Sequence, residues 1–200
     1  MAYTNVSEEN IIKWLKENLS EERFLHSLGT AQKAVELAQE YGQDEEKARV
    51  AGLLHDCAKC MGREELRQII DEQLQRDSSD LRPQNDELTN CKTHHAPVSA
   101  YVAQKEFGVT DPEILSAIRW HTLGHLDMSV FEKIIFLADK IEPNTRDPEF
   151  IEKIQKILPE GLDKALLECY KDTIKSLAER KLKICMLTIE IYNQLLDMTE

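Results

Sequence analysis

The 200-residue chain has few of the residues that punctuate a backbone. Its 7 Gly and 6 Pro make up about 6% of the chain, roughly half the usual combined share of about 12%, which disfavours a turn-rich β-fold. Aromatic residues are also scarce, at 6%. Positive charge is in deficit: 25 Lys+Arg against 37 Asp+Glu leave a net charge of −12, and no Lys/Arg run offsets it locally. A whole-face grip on nucleic acid depends on neutralising phosphates, so that class is excluded, although a small anion held at one focused site is not. The longest apolar runs, such as Ile134 to Ala138, fall far short of the roughly 20 residues of a membrane span. Residues Met1 to Glu9 show neither a basic flank nor an apolar stretch, so no signal peptide is expected and the expectation is a soluble, cytoplasmic protein. The five cysteines, at 57, 60, 91, 169 and 185, are odd in number and scattered through helical patterns, which argues against a disulfide framework.

Helix signals are what the chain has in abundance. Ser7 and Ser20, each followed by two glutamates, cap a first and a second helix, the second with Phe24, Leu28, Ala31, Val35 and Ala38 at helical spacing. The acids stand where the helix dipole favours them. Asp44 opens a third helix through Leu54, and a fourth is predicted over Arg63 to Leu74; the polar stretch Gln75 to Asn90, with Pro83, reads as an exposed loop. His95 to Phe107 is helical up to Gly108, and Asp111-Pro112 then supplies a cap and a proline at the first helical position for a helix ending near His121. Ser129-Val130-Phe131-Glu132 is a capping box for a helix to about Lys140, stopped before Glu142-Pro143, and Asp147-Pro148 starts another. Two helices fill Leu162 to Leu196. No alternating strand pattern occurs, so the fold class is all-α: one helical bundle over residues 1–200, with 162–197 as C-terminal helices that close it.

The chemistry concentrates in histidine and aspartate. His26 lies on the second helix, His55-Asp56 follows the apolar run Val50 to Leu54, His121 stands at a helix end, and Asp139 closes a similar run. An ionised aspartate leaving a core-facing segment is costly unless paired, hydrogen-bonded or metal-bound. Asp139 also faces the negative end of its helix dipole. A bound cation would relieve both costs; satisfied core histidines and salt-bridged aspartates are the alternative. Imidazole combined with carboxylate suits first-row divalent metals better than Ca²⁺ or Mg²⁺. Cys57 and Cys60 form a C-x-x-C, but with no second pair and no strand pattern they read as incidental thiols.

His26, then His55-Asp56 twenty-nine residues on, then Asp139, resembles the H…HD…D pattern of the HD metal-dependent phosphohydrolase superfamily. Five longer phrases are more specific: Arg23 to Gly29, Leu54 to Lys59, His95 to Val98, Arg119 to Thr122 and Ala138 to Asn144. In that order they are similar to the YqeK branch, which is associated with symmetrical hydrolysis of diadenosine tetraphosphate, and the similarity spans about residues 8 to 196. The resemblance implies one metal held by His26, His55, Asp56 and Asp139 and a second by His95 and His121, with Asp56 bridging them. It selects His95 over His94, because the family ligand directly precedes the Ala-Pro pair; His94 then reads as a solvated loop residue, and His125, which matches no ligand position, as an exposed loop residue or one lining the entrance. Two divalent transition-metal ions are implied, iron first, with manganese or cobalt able to substitute.

Such a centre, its ions about 3.5–4 Å apart, lowers the pKa of a bridging water and polarises a phosphoryl oxygen. The implied reaction is attack by a bridging hydroxide on an inner phosphorus, releasing two ADP. Lys59, Arg119, Thr122 and Arg146 are the candidate substrate contacts, with Lys59 also a catalytic candidate. Arg146 stands one residue later than that branch has it, because Thr145 intervenes. The implied partner is a dinucleoside polyphosphate or a nucleotide. Alternatives are a nucleotidase or nucleoside triphosphate hydrolase of the same fold, or a nucleotide-binding protein without turnover. A homodimer is compatible with the scattered apolar residues.

Overall fold

Side-chain caps set most of the helix starts. In the computed structural model, which describes residues 2–74 and 92–199, Ser7 caps α1 (Glu8–Asn18), Ser20 caps α2 (Glu21–Glu40) and Asp44 caps α3 (Glu45–Leu54), each accepting a backbone N–H of the first turn. Helix α4 covers Arg63–Leu74. After it come α5 (His95–Glu106), α6 (Pro112–Trp120) and α7 (Val130–Ile141). Asp111 accepts from Glu113 and Ile114 at the start of α6, and Ser129 with Glu132 forms the full reciprocal capping box of α7. Helix α8 (Pro148–Ile157) starts at Asp147, but this side chain makes no capping bond, unlike the other predicted caps. A 3₁₀ turn, Leu158–Glu160, not anticipated from sequence, leads into α9 (Leu162–Glu179), followed by α10 (Met186–Thr199). The polar stretch Gln75 to Asn90 lies outside the described residues, and among those described there is no strand.

The fold is an all-α bundle whose core helices are α2, α3 and α7. Helix α7 is the most enclosed, with Phe131, Ile134, Ile135, Phe136, Leu137, Ala138 and Ile141 all buried. It packs against α2, α3, α6 and α9. Helices α2 and α3 cross closely because small residues meet there: a Cβ at Gly52 would stand 2.6 Å from the Ala31 Cα. The α9 face of Leu162, Ala165, Leu166, Cys169 and Tyr170 is buried. There the Tyr170 ring stacks on Phe136 at 5.2 Å, and its hydroxyl donates to the Leu123 carbonyl at 2.6 Å. Among the described residues, no helix is long and apolar enough to cross a membrane.

Candidate metal centre

Five helices deliver the six candidate ligands to one buried point. His26 lies in the second turn of α2, and His55 ends α3. The Gly52–Ala31 approach brings these two rings together, so that their Nε2 atoms are 3.1 Å apart. His95 is the first residue of α5 and His121 ends α6; their Nε2 atoms are 3.3 Å apart. Asp56 stands between the two pairs. Its Oδ2 lies 3.9 and 3.8 Å from the Nε2 atoms of His26 and His55, and its Oδ1 lies 3.2 and 3.3 Å from those of His95 and His121. Asp139, in the last turn of α7, places Oδ1 2.9 Å from His26 Nε2 and 3.7 Å from His55 Nε2. All six side chains are buried.

The Nδ1 bonds of the four rings fix their chemistry. His55 Nδ1 lies 2.7 Å from the Gly52 carbonyl, His121 Nδ1 2.7 Å from that of Ile118, and His95 Nδ1 3.0 Å from that of Lys92. His26 Nδ1 lies 3.1 Å from Glu142 Oε1. A carbonyl or carboxylate oxygen only accepts, so each Nδ1 carries the proton, and a ring that is neutral, as His55 and His95 are, turns an Nε2 lone pair inward. Facing lone pairs about 3 Å apart repel. Asp56 Oδ1 is likewise buried and accepts no hydrogen bond. A cation at each pair would reconcile lone pair with lone pair and satisfy the orphaned carboxylate oxygen. His26, His55 and Asp56, and separately Asp56, His95 and His121, have ligand atoms close enough to share an ion. The donor set, nitrogen with carboxylate oxygen, fits divalent transition metals.

The electrostatics agree with that role at two of the four rings; at His26 burial favours the neutral ring, but the Asp139 and Glu142 carboxylates outweigh it and raise the pKa. Burial pushes the His55 pKa down to about 3 and that of His95 down to about 4, outweighing the pull of Asp56 in the opposite direction; both rings are neutral at physiological pH. Burial also opposes ionisation of Asp56 and Asp139. Even so, the charged Lys140 and Arg146 hold Asp139 well below the ordinary carboxylate range.

The other candidates divide between the rim of the site and the scaffold. Lys59 Nζ donates to His95 Nε2 at 2.8 Å and lies 3.5 Å from Asp56. Thr122 Oγ1 lies 3.0 Å from His121 Nε2 and 3.1 Å from His95 Nε2. Arg146 reaches the site despite the intervening Thr145, pairing with Asp139 Oδ1 at 2.6 Å and donating to the Asp139 carbonyl at 2.7 Å. Arg119 is only 1% exposed, with its guanidinium over the Trp120 ring at 4.1 Å, so its contact with substrate would require the chain to open. His94 is half-buried, with its Nε2 enclosed, not solvated in a loop. His125 is partly buried and pairs with Glu132 at 3.0 Å.

Three residues beside the candidate ligands have no role that the sequence alone suggests. Glu142 holds the fourth imidazole, Arg23 lies 3.5 Å from Asp56 Oδ2, and Lys140 lies 2.7 Å from Asp139 Oδ2. All three fall inside the phrases that carry the resemblance, and their adjacency to ligands was the available signal.

Residues 23–144, more than half of the chain and carrying all six ligand candidates, match the HD domain. The chain belongs to the HD domain family. It is 37% identical over 192 residues to the symmetrical bis(5′-nucleosyl)-tetraphosphatase of Bacillus subtilis, covering 96% of this chain and 99% of that one. It is also 39% identical to the protein of the same name from Halalkalibacterium halodurans, covering 92% and 95%. A crystal structure from Clostridium acetobutylicum, described as a predicted HD superfamily hydrolase involved in NAD metabolism, superposes with a TM-score of 0.87 at 36% identity, covering 96% of this chain and 98% of that one. Within this HD fold, candidate ligands from α2, α3, α5, α6 and α7 meet although 113 residues separate His26 from Asp139.

Proposed function

We propose that this HD-family protein hydrolyses diadenosine tetraphosphate symmetrically to two ADP, at a centre of two divalent ions held by His26, His55, Asp56 and Asp139 on one side and by Asp56, His95 and His121 on the other. The observation that carries the two-ion reading is Asp56, whose two oxygens face separate imidazole pairs. The choice of substrate rests on the relatives named as symmetrical tetraphosphatases over nearly their whole length. Iron is the proposed metal, with manganese or cobalt as substitutes.

When bound, such ions supply a water nucleophile at neutral pH and Lewis-acid polarisation of a phosphoryl oxygen. The chain does the rest by position. The Nδ1 bonds orient the four imidazoles before substrate arrives. Lys59 and Arg146, both against ligand carboxylates, stand where phosphate oxygens would enter, and Thr122 offers a hydroxyl beside His95 and His121. The bond that breaks lies between the second and third phosphates. Water adds its oxygen to one half and leaves a proton on the other, so no covalent enzyme intermediate is needed.

The test is incubation with diadenosine tetraphosphate and Mn²⁺, Co²⁺ or Fe²⁺, with the nucleotides resolved. ADP as sole product supports the proposal, and AMP plus ATP contradicts it.

A further inference from the structure

Beside the metal centre, a cleft of about 590 Å³ opens between the end of α7, the 145–147 turn, the start of α8 and the middle of α9. That size is within the range of small-molecule sites, about 300–1,000 Å³. Its lining is ordered by chemistry. Lys140 and Arg146 form one wall, and both pair with the ligand Asp139 at 2.7 and 2.6 Å. The rest of the lining includes Phe150, Asp147, Glu149, Asp172 and Thr173, together with Lys153, whose ammonium is taken up by Glu168 at 2.5 Å; none of these makes a hydrogen bond or ion pair with the six ligand side chains. Among the described residues, the Asp147 and Asp172 carboxylates make no hydrogen bond or ion pair at all, and Asp147 stands at a helix start without capping it. Thr173 donates to the Cys169 carbonyl at 2.8 Å, which leaves its oxygen lone pairs as acceptors.

We infer that this cleft seats one nucleoside arm of a dinucleoside polyphosphate, its phosphates toward Lys140 and Arg146 and its ribose and base toward Phe150 and the two aspartates; this rests on the function proposed above. The distribution of charge gives the direction. Phosphates are drawn to the cationic wall that touches the metal ligand Asp139 and are repelled by Asp147 and Asp172. Free carboxylates are acceptors, suited to the hydroxyl donors of ribose and the amino group of adenine. A half-buried phenyl ring offers a flat face for a base, an interaction indifferent to which base is present. A polyphosphate without nucleosides would use only the cationic wall.

The experiment titrates ADP and, separately, pyrophosphate into Mn²⁺-loaded wild-type protein and its Phe150→Ala and Asp172→Asn variants by calorimetry. Phe150→Ala is expected to weaken ADP roughly tenfold, the scale of one lost base–aromatic stack, and to change pyrophosphate affinity less than twofold. Asp172→Asn is expected to weaken ADP in the same selective manner. ADP bound equally by wild type and both variants would overturn the assignment, as would equal losses for ADP and pyrophosphate. Should a variant fail to fold, 8-azido-ADP crosslinked to wild-type protein decides the matter: label within 145–153 or 169–173 supports the cleft, and label confined elsewhere refutes it. Failure to convert diadenosine tetraphosphate to ADP would overturn the proposed function alone, because these binding measurements do not require turnover.

Discussion

Glu142 Oε1 lies 3.1 Å from His26 Nδ1, with Thr145 Oγ1 farther off at 3.4 Å, so His26 Nδ1 meets side chains while the other three rings donate to backbone carbonyls. The carboxylate is itself held, accepting the backbone N–H groups of Asn144 and Thr145 at 2.7 and 3.0 Å. A buried acid bonded to a ligating imidazole fixes the ring and increases its basicity. Glu142→Ala is therefore expected to lower metal affinity by about 10- to 100-fold, the scale for losing such a partner, read by chelator competition. Glu142→Gln keeps an acceptor oxygen and should retain more of the affinity. Gly29→Ala should mimic the loss, because a Cβ there collides with the Glu142 carboxylate and lies 2.9 Å from Asn144 Nδ2. Wild-type affinity in Glu142→Ala would remove Glu142 from the account.

Metal addition should stabilise the fold. Ions that bind only the folded chain contribute about 2.7 kcal/mol at one hundred times their Kd. Wild-type protein treated with a chelator should melt lower, and restored Mn²⁺ should raise the melting temperature. In Asp56→Ala, which loses the carboxylate shared by both pairs, the rise on adding Mn²⁺ should shrink sharply and turnover should cease. Full activity in this variant would rule out the bridging role.

Acid stability should depend on Asp111. This residue caps α6 and pairs with Lys47 at 2.8 Å. Its slight burial favours the neutral acid, but Lys47 and the Ile114 and Glu113 N–H groups outweigh this and lower its pKa. A carboxyl lowered in the folded state gives stability that is complete above its unfolded pKa near 4 and is lost as pH falls through the folded value. Asp111→Asn keeps a good cap but not the ion pair. It should cost about 0.5–1 kcal/mol at pH 7 and progressively less below pH 4, as measured by urea unfolding at both pH values.

The attachment of α9 should depend on a single hydroxyl. Tyr170→Phe preserves the ring stacked on Phe136 but removes the donor to the Leu123 carbonyl. The expected cost is about 1–3 kcal/mol, the penalty for an acceptor left buried without its partner. Urea unfolding reads it directly, and an unchanged midpoint would show that the carbonyl finds another donor.

Local chemistry made much of the fold legible. Ser7, Ser20, Asp44, Asp111 and Ser129 each read as a cap and each makes a capping bond, because capping depends on residues three positions apart. Asp147 has the same pattern without the bond, since a cap also requires its side chain to turn back toward the helix. The candidate ligands could be named from the H…HD…D spacing and the flanking phrases. The Glu142–His26 bond could not, because it joins positions 116 apart and depends on the room left by Gly29.

By itself the sequence determined that the chain is helical, where most helices begin, that its overall charge disfavours nucleic acid, and which imidazoles and carboxylates were available to hold cations. Those properties follow from composition, periodicity and short-range hydrogen bonding. Tertiary structure alone decided that Asp56 faces two histidine pairs at once, that Arg119 is buried against Trp120 while Arg146 reaches Asp139, and that Lys140 and Arg146 join the candidate metal centre to a cleft. The reason is physical: lone-pair orientation, burial and ion pairing depend on which helices pack together, and Gly52 against Ala31 sets that packing through the absence of a side chain.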